Sequence, residues 1–327
     1  MITSLEAIRE AQQRLQGVVV QTPVLQSAVL NERLDAEVYI KPECLQHIGA
    51  FKFRGAYNRL CQLDDEQKAR GVVAFSSGNH AQGVAYAARL LGMDATIVMP
   101  TDAPVIKLNS TRSLGAEVIL YDRHNESREQ IAADFAERTG ATLVPAFDDP
   151  YIITGQGTCG LEFMDRLMAD LNTPDVLLSP CGGGGLLAGV STAVRGLSLG
   201  TRVYGVEPEN FDDHYQSQCA GQRIKIPGTS PTLCDALMAT TPGELTWSIN
   251  SQTVSDYLVV SEQDVQHAVS FAWRYLKLVV EPGGAVALAA LLQNKLDIAG
   301  QKTAIILSGG NIDSDTLCGC LSQYPDP

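Results

Sequence analysis

Gly49-Ala50-Phe51-Lys52-Phe53-Arg54-Gly55-Ala56 is the segment of this 327-residue sequence that says most about its fold and chemistry. It follows a short strand pattern at residues 38–40 and is predicted to open a helix. Lys52 lies between two aromatic residues, and an apolar setting lowers the pKa of a lysine, as an amine that forms a Schiff base requires. Alone, the segment fits equally a surface lysine on an amphipathic helix. The rest of the chain has to decide between the two interpretations.

Short β-branched runs alternate with helical patterns along the chain around this segment. The predicted strands cover residues 38–40, 72–75, 95–99, 117–120, 142–144, 176–178, 202–206 and 303–307. The predicted helices cover residues 80–91, 104–114, 125–139, 155–170, 185–197, 261–276 and 284–293. This alternation favours an α/β fold in which parallel sheets carry helices on both faces.

The pattern also predicts two domains. Residues 70–145 form a self-contained strand-helix series, so we expect a small domain inserted into a large one that is built from residues 1–69 and 146–327. Ligands of two-lobed α/β proteins bind between the lobes, beside the loops that leave the strands. We therefore look for the chemistry in those loops.

Composition narrows the class of function. A net charge of −13 and a pI near 4.8 argue against a nucleic-acid or anionic-membrane partner. The eight cysteines have no repeated spacing and no secretory signal precedes them, which predicts a reduced, cytoplasmic protein. The most apolar stretch, residues 278–292, is interrupted by Glu281-Pro282-Gly283-Gly284 and is too short to span a bilayer. We expect a small-molecule substrate.

Two polar loops each follow a predicted strand and precede a predicted helix. Ser76-Ser77-Gly78-Asn79-His80 offers hydroxyls and free backbone N–H groups that could bind a carboxylate, although the same residues are common in an ordinary helix cap. Cys181-Gly182-Gly183-Gly184-Gly185-Leu186 lets the backbone approach closely, and the helix dipole behind it favours phosphate oxygens. The second loop therefore predicts a phosphorylated ligand.

The glycine loop leaves the identity of that ligand open. Gly183, Gly185 and Ala188 also match the G-x-G-x-x-A spacing of dinucleotide-binding proteins, and Glu207 ends the next strand about 20 residues further on. In that interpretation the chain is a nicotinamide-dependent dehydrogenase, and Lys52 and Ser76 have no role.

Two further segments could carry chemistry. Ser308 follows the last predicted strand, before a glycine turn, and could present its hydroxyl to a heteroaromatic nitrogen, although a plain turn explains it as well. Glu207 to Asp213 is an acidic loop suited to a hard cation such as Mg²⁺ or Ca²⁺, although acidic surface loops are common in a chain of this charge.

Together and in this order, these segments resemble the serine/threonine dehydratase and serine racemase family, pyridoxal-phosphate enzymes of the tryptophan-synthase-β fold, also called fold type II. Members that act on threo-3-hydroxyaspartate are included. The resemblance extends to residues 122–128, 155–158 and 278–282 and thus covers nearly the whole chain. It implies a two-lobed, three-layer parallel-sheet fold and a homodimer.

The resemblance also implies a role for each residue. Lys52 would hold pyridoxal phosphate as a Schiff base, Phe51 would pack near its ring, and Asn79 and Ser308 would face its phenolic oxygen and ring nitrogen. The phosphate would lie against Gly182, Gly183, Gly184, Gly185 and Leu186. The substrate carboxylate would bind to Ser76, Ser77, Gly78, Asn79 and His80. A divalent cation (Mg²⁺, Mn²⁺ or Ca²⁺) would bind Glu207, Asp213 and the Phe211 carbonyl.

The implied reaction releases a 2-oxo acid and ammonia from L-serine, L-threonine or threo-3-hydroxyaspartate. Lys52 would remove the α-proton before the β-hydroxyl leaves. Ser77 corresponds to the residue from which serine racemases act on the opposite face, so serine racemisation is an expected companion activity. A β-replacement enzyme of the same fold stays an alternative. Ala50, Ala236 and Phe211 depart from the commonest family pattern and leave the choice of substrate open.

Overall fold

The chain is described by a computed structural model over residues 3–76, 78–103, 105–123 and 125–325. The helices are α1 (Leu5–Leu15), α2 (Ala28–Leu34), α3 (Lys52–Leu60), α4 (Asp65–Arg70), α5 (Asn79–Leu90), α6 (Val105–Ser113), α7 (Arg128–Thr139), α8 (Pro150–Ala169), α9 (Gly185–Leu197), α10 (Asp213–Ala220), α11 (Glu244–Thr253), α12 (Glu262–Phe271), α13 (Pro282–Leu292) and α14 (Ser314–Gln323). The strands are β1 (Glu37–Pro42), β2 (Val72–Phe75), β3 (Ala95–Pro100), β4 (Glu117–Tyr121), β5 (Thr142–Leu143), β6 (Val176–Pro180), β7 (Arg202–Pro208), β8 (Asp256–Val260) and β9 (Lys302–Leu307).

The strands form two separate parallel sheets. The larger has the order β1-β9-β6-β7-β8, with Val38 beside Thr303 and Leu178 beside Ile305. The smaller has the order β4-β3-β2-β5. The α/β architecture with parallel sheets is confirmed. The strands of the smaller sheet all lie within residues 70–145, while the exact domain boundaries stay a prediction.

Burial on both faces explains why the central strands are apolar runs without alternation. Every residue of β6 is buried, and separate apolar clusters pack on the two faces of the larger sheet. Helix α13 is buried along its whole length, because it crosses one of these clusters and its sequence is apolar on every side. The sheet is therefore enclosed by helices, and its strand ends open into the loops that carry the predicted motifs.

Glycines and one arginine fix helix α3, which carries Lys52, against α8. A Cβ added at Gly155 of α8 would lie 2.7 Å from the Cα of Gly55, so the two backbones touch. The Arg54 guanidinium is fully buried and makes paired hydrogen bonds to the carboxylates of Glu43 and Glu162, at 2.7–2.9 Å. A buried, fully bonded ion pair of this kind fixes orientation strongly.

Several elements differ from the sequence-based prediction. Strand β8 and helices α2, α4, α10, α11 and α14 were not predicted. Helix α8 begins at Pro150, five residues before the predicted start, with Asp149 as its N-cap. The helix predicted over residues 261–276 ends at Phe271 and continues as a single π-turn to Leu276. Among the described residues, no helix combines the length and the apolarity needed to cross a membrane.

Candidate active site

A cavity of about 190 Å³ lies between the two sheets, where the carboxyl ends of their strands face each other. It brings together the lysine segment, the Ser76 loop, the glycine loop and Ser308, which are far apart in sequence. The residues that line it are Phe51, Lys52, Ser76, Gly78, Asn79, His80, Arg128, Ala146, Phe147, Pro180, Gly182, Gly183, Gly184, Gly185, Leu186, Asp235, Ala236, Leu237, Met238, Ala239, Glu281 and Ser308. Ser77 lies outside the described residues.

Lys52 is the first residue of α3 and points into this cavity. Its Nζ donates a 2.7 Å hydrogen bond to the carbonyl oxygen of Ala146 and lies 5.3 Å from the centroid of the Phe51 ring. No described carboxylate forms an ion pair with it. Burial without a counter-charge lowers the pKa of Lys52 from 10.5 to about 8. A neutral, nucleophilic amine is thus accessible close to neutral pH.

The glycine loop has the geometry of an anion site. Gly184 has φ +91° and is the N-cap of α9, and the backbone N–H groups from Gly182 to Leu186 donate no hydrogen bond to a described residue. The opposite side of the loop is fixed, because Thr246 donates to the Gly183 carbonyl at 2.8 Å and Asn250 to the Gly184 carbonyl at 3.3 Å. Free N–H groups at the positive end of a helix dipole suit a phosphate.

Phe147 restricts two positions of this loop to glycine. A Cβ added at Gly183 would overlap its ring, and one at Gly185 would lie 2.9 Å from its Cβ. Close packing against Phe147, which also lines the cavity, therefore requires glycine at these two positions.

Asn79 and Glu281 form a polar bridge at the cavity wall. The Nδ2 of Asn79, the first residue of α5, donates to Oε1 of Glu281 at 2.5 Å, and its Oδ1 accepts from Asn311 at 2.7 Å. The second carboxylate oxygen of Glu281 is buried and has no hydrogen-bond partner among the described residues. Burial, with a contribution from the charge of Asp235, raises the pKa of Glu281 to about 7. This group can gain or lose a proton near neutral pH.

His80 is neutral in this environment. Its Nε2 lies 3.0 Å from the carbonyl oxygen of Val144, and burial and then the charge of Lys52 lower its pKa to about 3. Ser308 is buried, and its carbonyl accepts the backbone N–H of Phe51 at 3.1 Å. That bond joins the lysine segment to the end of β9. The family resemblance implies that these two segments lie close together.

Three charged residues of the cavity were not identified from the sequence as site residues: Arg128, Asp235 and Glu281. Arg128 is the first residue of α7, and its guanidinium lies 5.4 Å above the ring of Phe75. Asp235 forms an ion pair with Lys107 of α6, which links the two sides of the cavity. Only tertiary structure brings these side chains to Lys52, although Arg128 and Glu281 lie in the segments 122–128 and 278–282 to which the family resemblance extends. Ala236, one of the departures from the family pattern, also lines the cavity.

The predicted cation residues lie behind the glycine loop and do not line the cavity. Glu207 is fully buried, and its two oxygens accept the backbone N–H groups of His214 and Tyr215 at 3.0 and 2.8 Å. Both carboxylate oxygens of Asp213 are buried without a hydrogen-bond partner among the described residues. Burial raises the pKa of both carboxyls, that of Asp213 to about 8.

No ion pair with another described residue compensates the charge of these two carboxyls. A buried carboxylate with no partner is costly, and a cation would supply the positive charge and be bound by the unpartnered oxygens. The described residues hold no cluster of three or more His, Cys, Asp or Glu side chains arranged for a metal, so a site here would rest on two carboxylates and main-chain oxygen. The ring of Phe211, the third departure from the family pattern, is fully buried and thus accommodated.

Comparison with known proteins gives a consistent result. Residues 15–309 match the family model described as pyridoxal-phosphate dependent enzyme. The chain is 45% identical to an L-threonine ammonia-lyase of Thermotoga maritima, over 97% of this chain and 77% of that protein. It is 44% identical to an L-threo-3-hydroxyaspartate ammonia-lyase of Saccharomyces cerevisiae, over 98% and 96%. The structure of maize serine racemase superposes with a TM-score of 0.92 at 38% identity, over 99% and 98%.

Proposed function

The chain belongs to the family of pyridoxal-phosphate dependent enzymes of fold type II, and from this we propose that it is an ammonia-lyase for a small β-hydroxy amino acid. The observation that carries the proposal is Lys52, a buried lysine without an ion pair to a described carboxylate, whose lowered pKa suits it to bind an aldehyde cofactor. The two ammonia-lyases similar to the chain over nearly its full length support the same chemistry.

The residues around Lys52 fit pyridoxal phosphate. The free N–H groups of Gly182, Gly183, Gly184, Gly185 and Leu186 would bind the phosphate. Phe51 would pack against the ring, Asn79 would face the phenolic oxygen, and Ser308 would face the ring nitrogen. A nicotinamide-dependent dehydrogenase does not fit, because Glu207 is bonded to the start of α10 and lies outside the cavity.

Bound pyridoxal phosphate supplies an electron sink for the bond that breaks at the α-carbon. The Lys52 amine is the base that takes the α-proton, and its lowered pKa keeps it unprotonated at mildly alkaline pH. Ser76, Gly78, Asn79 and His80 surround the start of α5, where backbone N–H groups would hold the substrate carboxylate. A neutral Ser308 leaves the ring nitrogen without a charged partner, which favours prompt loss of the β-hydroxyl.

Arg128 bears on the choice among L-serine, L-threonine and threo-3-hydroxyaspartate. Lys52 and Arg128 are the cationic side chains that line the described cavity. If Lys52 carries the cofactor, Arg128, whose Nε forms an ion pair with Glu129 at 2.8 Å, is the cationic side chain that could bind a second carboxylate through its remaining nitrogens. We therefore propose threo-3-hydroxyaspartate as the preferred substrate, with L-serine and L-threonine as weaker ones.

Serine racemisation is a proposed companion activity. It rests on the similarity to maize serine racemase and on Ser77, which lies outside the described residues. A divalent cation (Mg²⁺, Mn²⁺ or Ca²⁺) at Glu207, Asp213 and the Phe211 carbonyl is likewise proposed, supported by the unpartnered oxygens of Asp213.

Three further properties remain proposals. A homodimer is supported by exposed apolar side chains beside a groove, among them Val29 and Tyr275. A cytoplasmic location is supported by eight cysteines of which none is in a disulfide. The domain division at residues 70 and 145 is supported by the two separate sheets.

The proposal is tested by supplying the purified, pyridoxal-phosphate-loaded protein with each of the three hydroxy amino acids and measuring 2-oxo acid and ammonia in equal amounts. We expect release from all three, with the largest kcat/KM for threo-3-hydroxyaspartate. D-serine is measured in the same reactions. Absence of oxo acid with every substrate, or consumption of sulfide with L-serine instead, would refute the ammonia-lyase and favour β-replacement.

A further inference from the structure

His214 lies between the proposed cation site and the glycine loop and has no role in the function proposed above. It follows Asp213 directly, and its backbone N–H donates to Glu207 at 3.0 Å. Its side chain is fully buried. The backbone of this residue is thus bonded to the carboxylate of Glu207, and its side chain extends towards the glycine loop.

The imidazole of His214 packs directly beneath the turn of that loop. A Cβ added at Gly184 would lie 2.6 Å from its Nε2, and Gly184 is the residue with φ +91° that caps α9. Because nothing separates the ring from this glycine, a displacement of the ring displaces the N–H groups proposed to bind phosphate.

The aromatic surroundings leave the ring little freedom of its own. It stacks on Tyr257 with ring centroids 5.5 Å apart and an interplanar angle of 26°, and the Tyr257 hydroxyl lies 3.3 Å from its Nδ1. Trp247 packs at 6.2 Å from another side. The ring is therefore fixed between the first turn of α10, the neighbouring aromatic side chains and Gly184.

We propose that His214 is a positioning residue that couples occupation of the cation site to binding of pyridoxal phosphate by the glycine loop. A cation at Glu207 and Asp213 fixes the first turn of α10, and His214 transmits that order to Gly184. Because coupling between two sites is reciprocal, the cofactor raises the affinity for the cation by the same factor. The inference rests on the proposed cofactor and cation.

The test measures both affinities on the full-length protein stripped of cofactor and metal. Binding of pyridoxal phosphate is followed by its visible absorption band with and without saturating Mg²⁺, and Mn²⁺ binding is followed by electron paramagnetic resonance with and without pyridoxal phosphate. For the wild type we expect each ligand to tighten the other by about 5-fold or more. In His214→Ala and His214→Asn, we expect Mn²⁺ still to bind, but the coupling factor, by which each ligand tightens the binding of the other, falls to within about twofold of one.

His267→Asn is the matched control. His267 is also a buried histidine, bonded to Gln293 at 2.9 Å and remote from the glycine loop, so its loss is expected to leave the coupling factor unchanged. A purely space-filling role for His214 would weaken cofactor binding equally with and without Mg²⁺. If neither His214 variant folds, Tyr257→Phe removes the hydroxyl beside Nδ1 and is expected to reduce the factor by about twofold or more.

The outcomes separate this inference from the proposed function. A wild type that forms no visible band with pyridoxal phosphate overturns both. A wild type that forms the band with an affinity indifferent to Mg²⁺ overturns the coupling alone. Retention of the full coupling factor in a folded His214 variant, or in Tyr257→Phe when neither His214 variant folds, assigns the link to other residues and overturns the role of His214.

Discussion

The Nζ of Lys52 donates a 2.7 Å hydrogen bond to the carbonyl oxygen of Ala146, a neutral partner from the segment that follows β5. A carboxylate at this position would hold the lysine protonated, whereas a carbonyl accepts a hydrogen bond from either protonation state. The arrangement thus buries an amine without fixing its charge, and this has consequences for the pH dependence of cofactor binding.

The rate at which cofactor-free protein takes up pyridoxal phosphate is predicted to rise with pH around a midpoint near 8, because only the neutral Lys52 amine attacks the aldehyde and burial lowers its pKa to about 8. The growth of the visible band from pH 6.5 to 9.5 measures this rate, with free N-acetyl-lysine as the reference amine. A midpoint near 10 would contradict the buried, uncompensated amine.

The same shift predicts a rise in stability with pH. Between pH 8 and 10.5 the unfolded chain still protonates Lys52 while the folded chain does not, so Lys52 contributes an increase in the free energy of unfolding over this window. Urea unfolding of the cofactor-free protein at pH 8 and pH 10 should show that the wild type gains stability relative to Lys52→Met, a comparison that cancels the buried thiols, whose pKa values burial raises. Equal pH dependence in both proteins would speak against a lowered pKa at Lys52.

Glu281 is predicted to make the protein less stable as pH rises, which is opposite to the effect of Lys52, and Glu281→Gln tests this. Burial raises the pKa of Glu281 from 4.5 to about 7, so the folded state binds the extra proton and the wild type loses stability as pH rises from 4.5 to 7. Glutamine keeps the acceptor for Asn79 without the charge. The free energy of unfolding of Glu281→Gln, relative to that of the wild type, should rise by at most about 1.4 kcal/mol per pH unit in this window. Glu117→Gln, at an exposed carboxyl, is the control and should show no such trend.

Gly183→Ala is predicted to weaken pyridoxal-phosphate binding by about 10-fold or more, because the added methyl overlaps the Phe147 ring and displaces the loop. Phe147→Ala in the same chain should restore most of the loss, which makes the two substitutions strongly non-additive. Gly200→Ala, which meets no atom within 4 Å, serves as the control. Additive effects of the two substitutions would show that the ring does not shape the loop.

Arg128→Met is predicted to reduce kcat/KM for threo-3-hydroxyaspartate by about 30-fold or more, the cost of one charge-assisted hydrogen bond, while L-threonine changes by about threefold at most. Oxo-acid release from the two substrates gives the ratio directly. Arg89→Met, at an exposed arginine of α5, controls for the loss of a positive charge. An equal loss of kcat/KM for both substrates would show that Arg128 does not bind the second carboxylate.

Local pattern was sufficient for most of the strands, because parallel strands buried on both faces are continuous apolar runs. Strand β8 was missed although Tyr257-Leu258-Val259-Val260 is such a run, because it lies at the edge of the sheet and is only partly buried. The start of α8 was placed five residues too late because the Asp149-Pro150 pair, an N-cap followed by proline in the first turn, was not used as a start signal. Gly155 and Gly157 lie inside this helix because it makes close contact with α3 and α9 there.

The site was predictable to the extent that each motif sits at the end of a strand. Lys52, Asn79, the glycine loop and Ser308 meet at one cavity because parallel strands place their carboxyl ends on one edge. Arg128, Asp235 and Glu281 reach the same cavity from the starts of helices or from a loop, and their positions depend on how the two sheets face each other. No spacing in the sequence encodes that relation.

The most direct test of the central claim, that Lys52 holds pyridoxal phosphate, is the visible absorption spectrum of the purified protein before and after borohydride, with peptide mapping of the reduced adduct. The account predicts a yellow protein whose visible band disappears on reduction and whose label is found on Lys52. A protein that stays colourless and unmodified after addition of pyridoxal phosphate, or one that carries the label on another lysine, would contradict it.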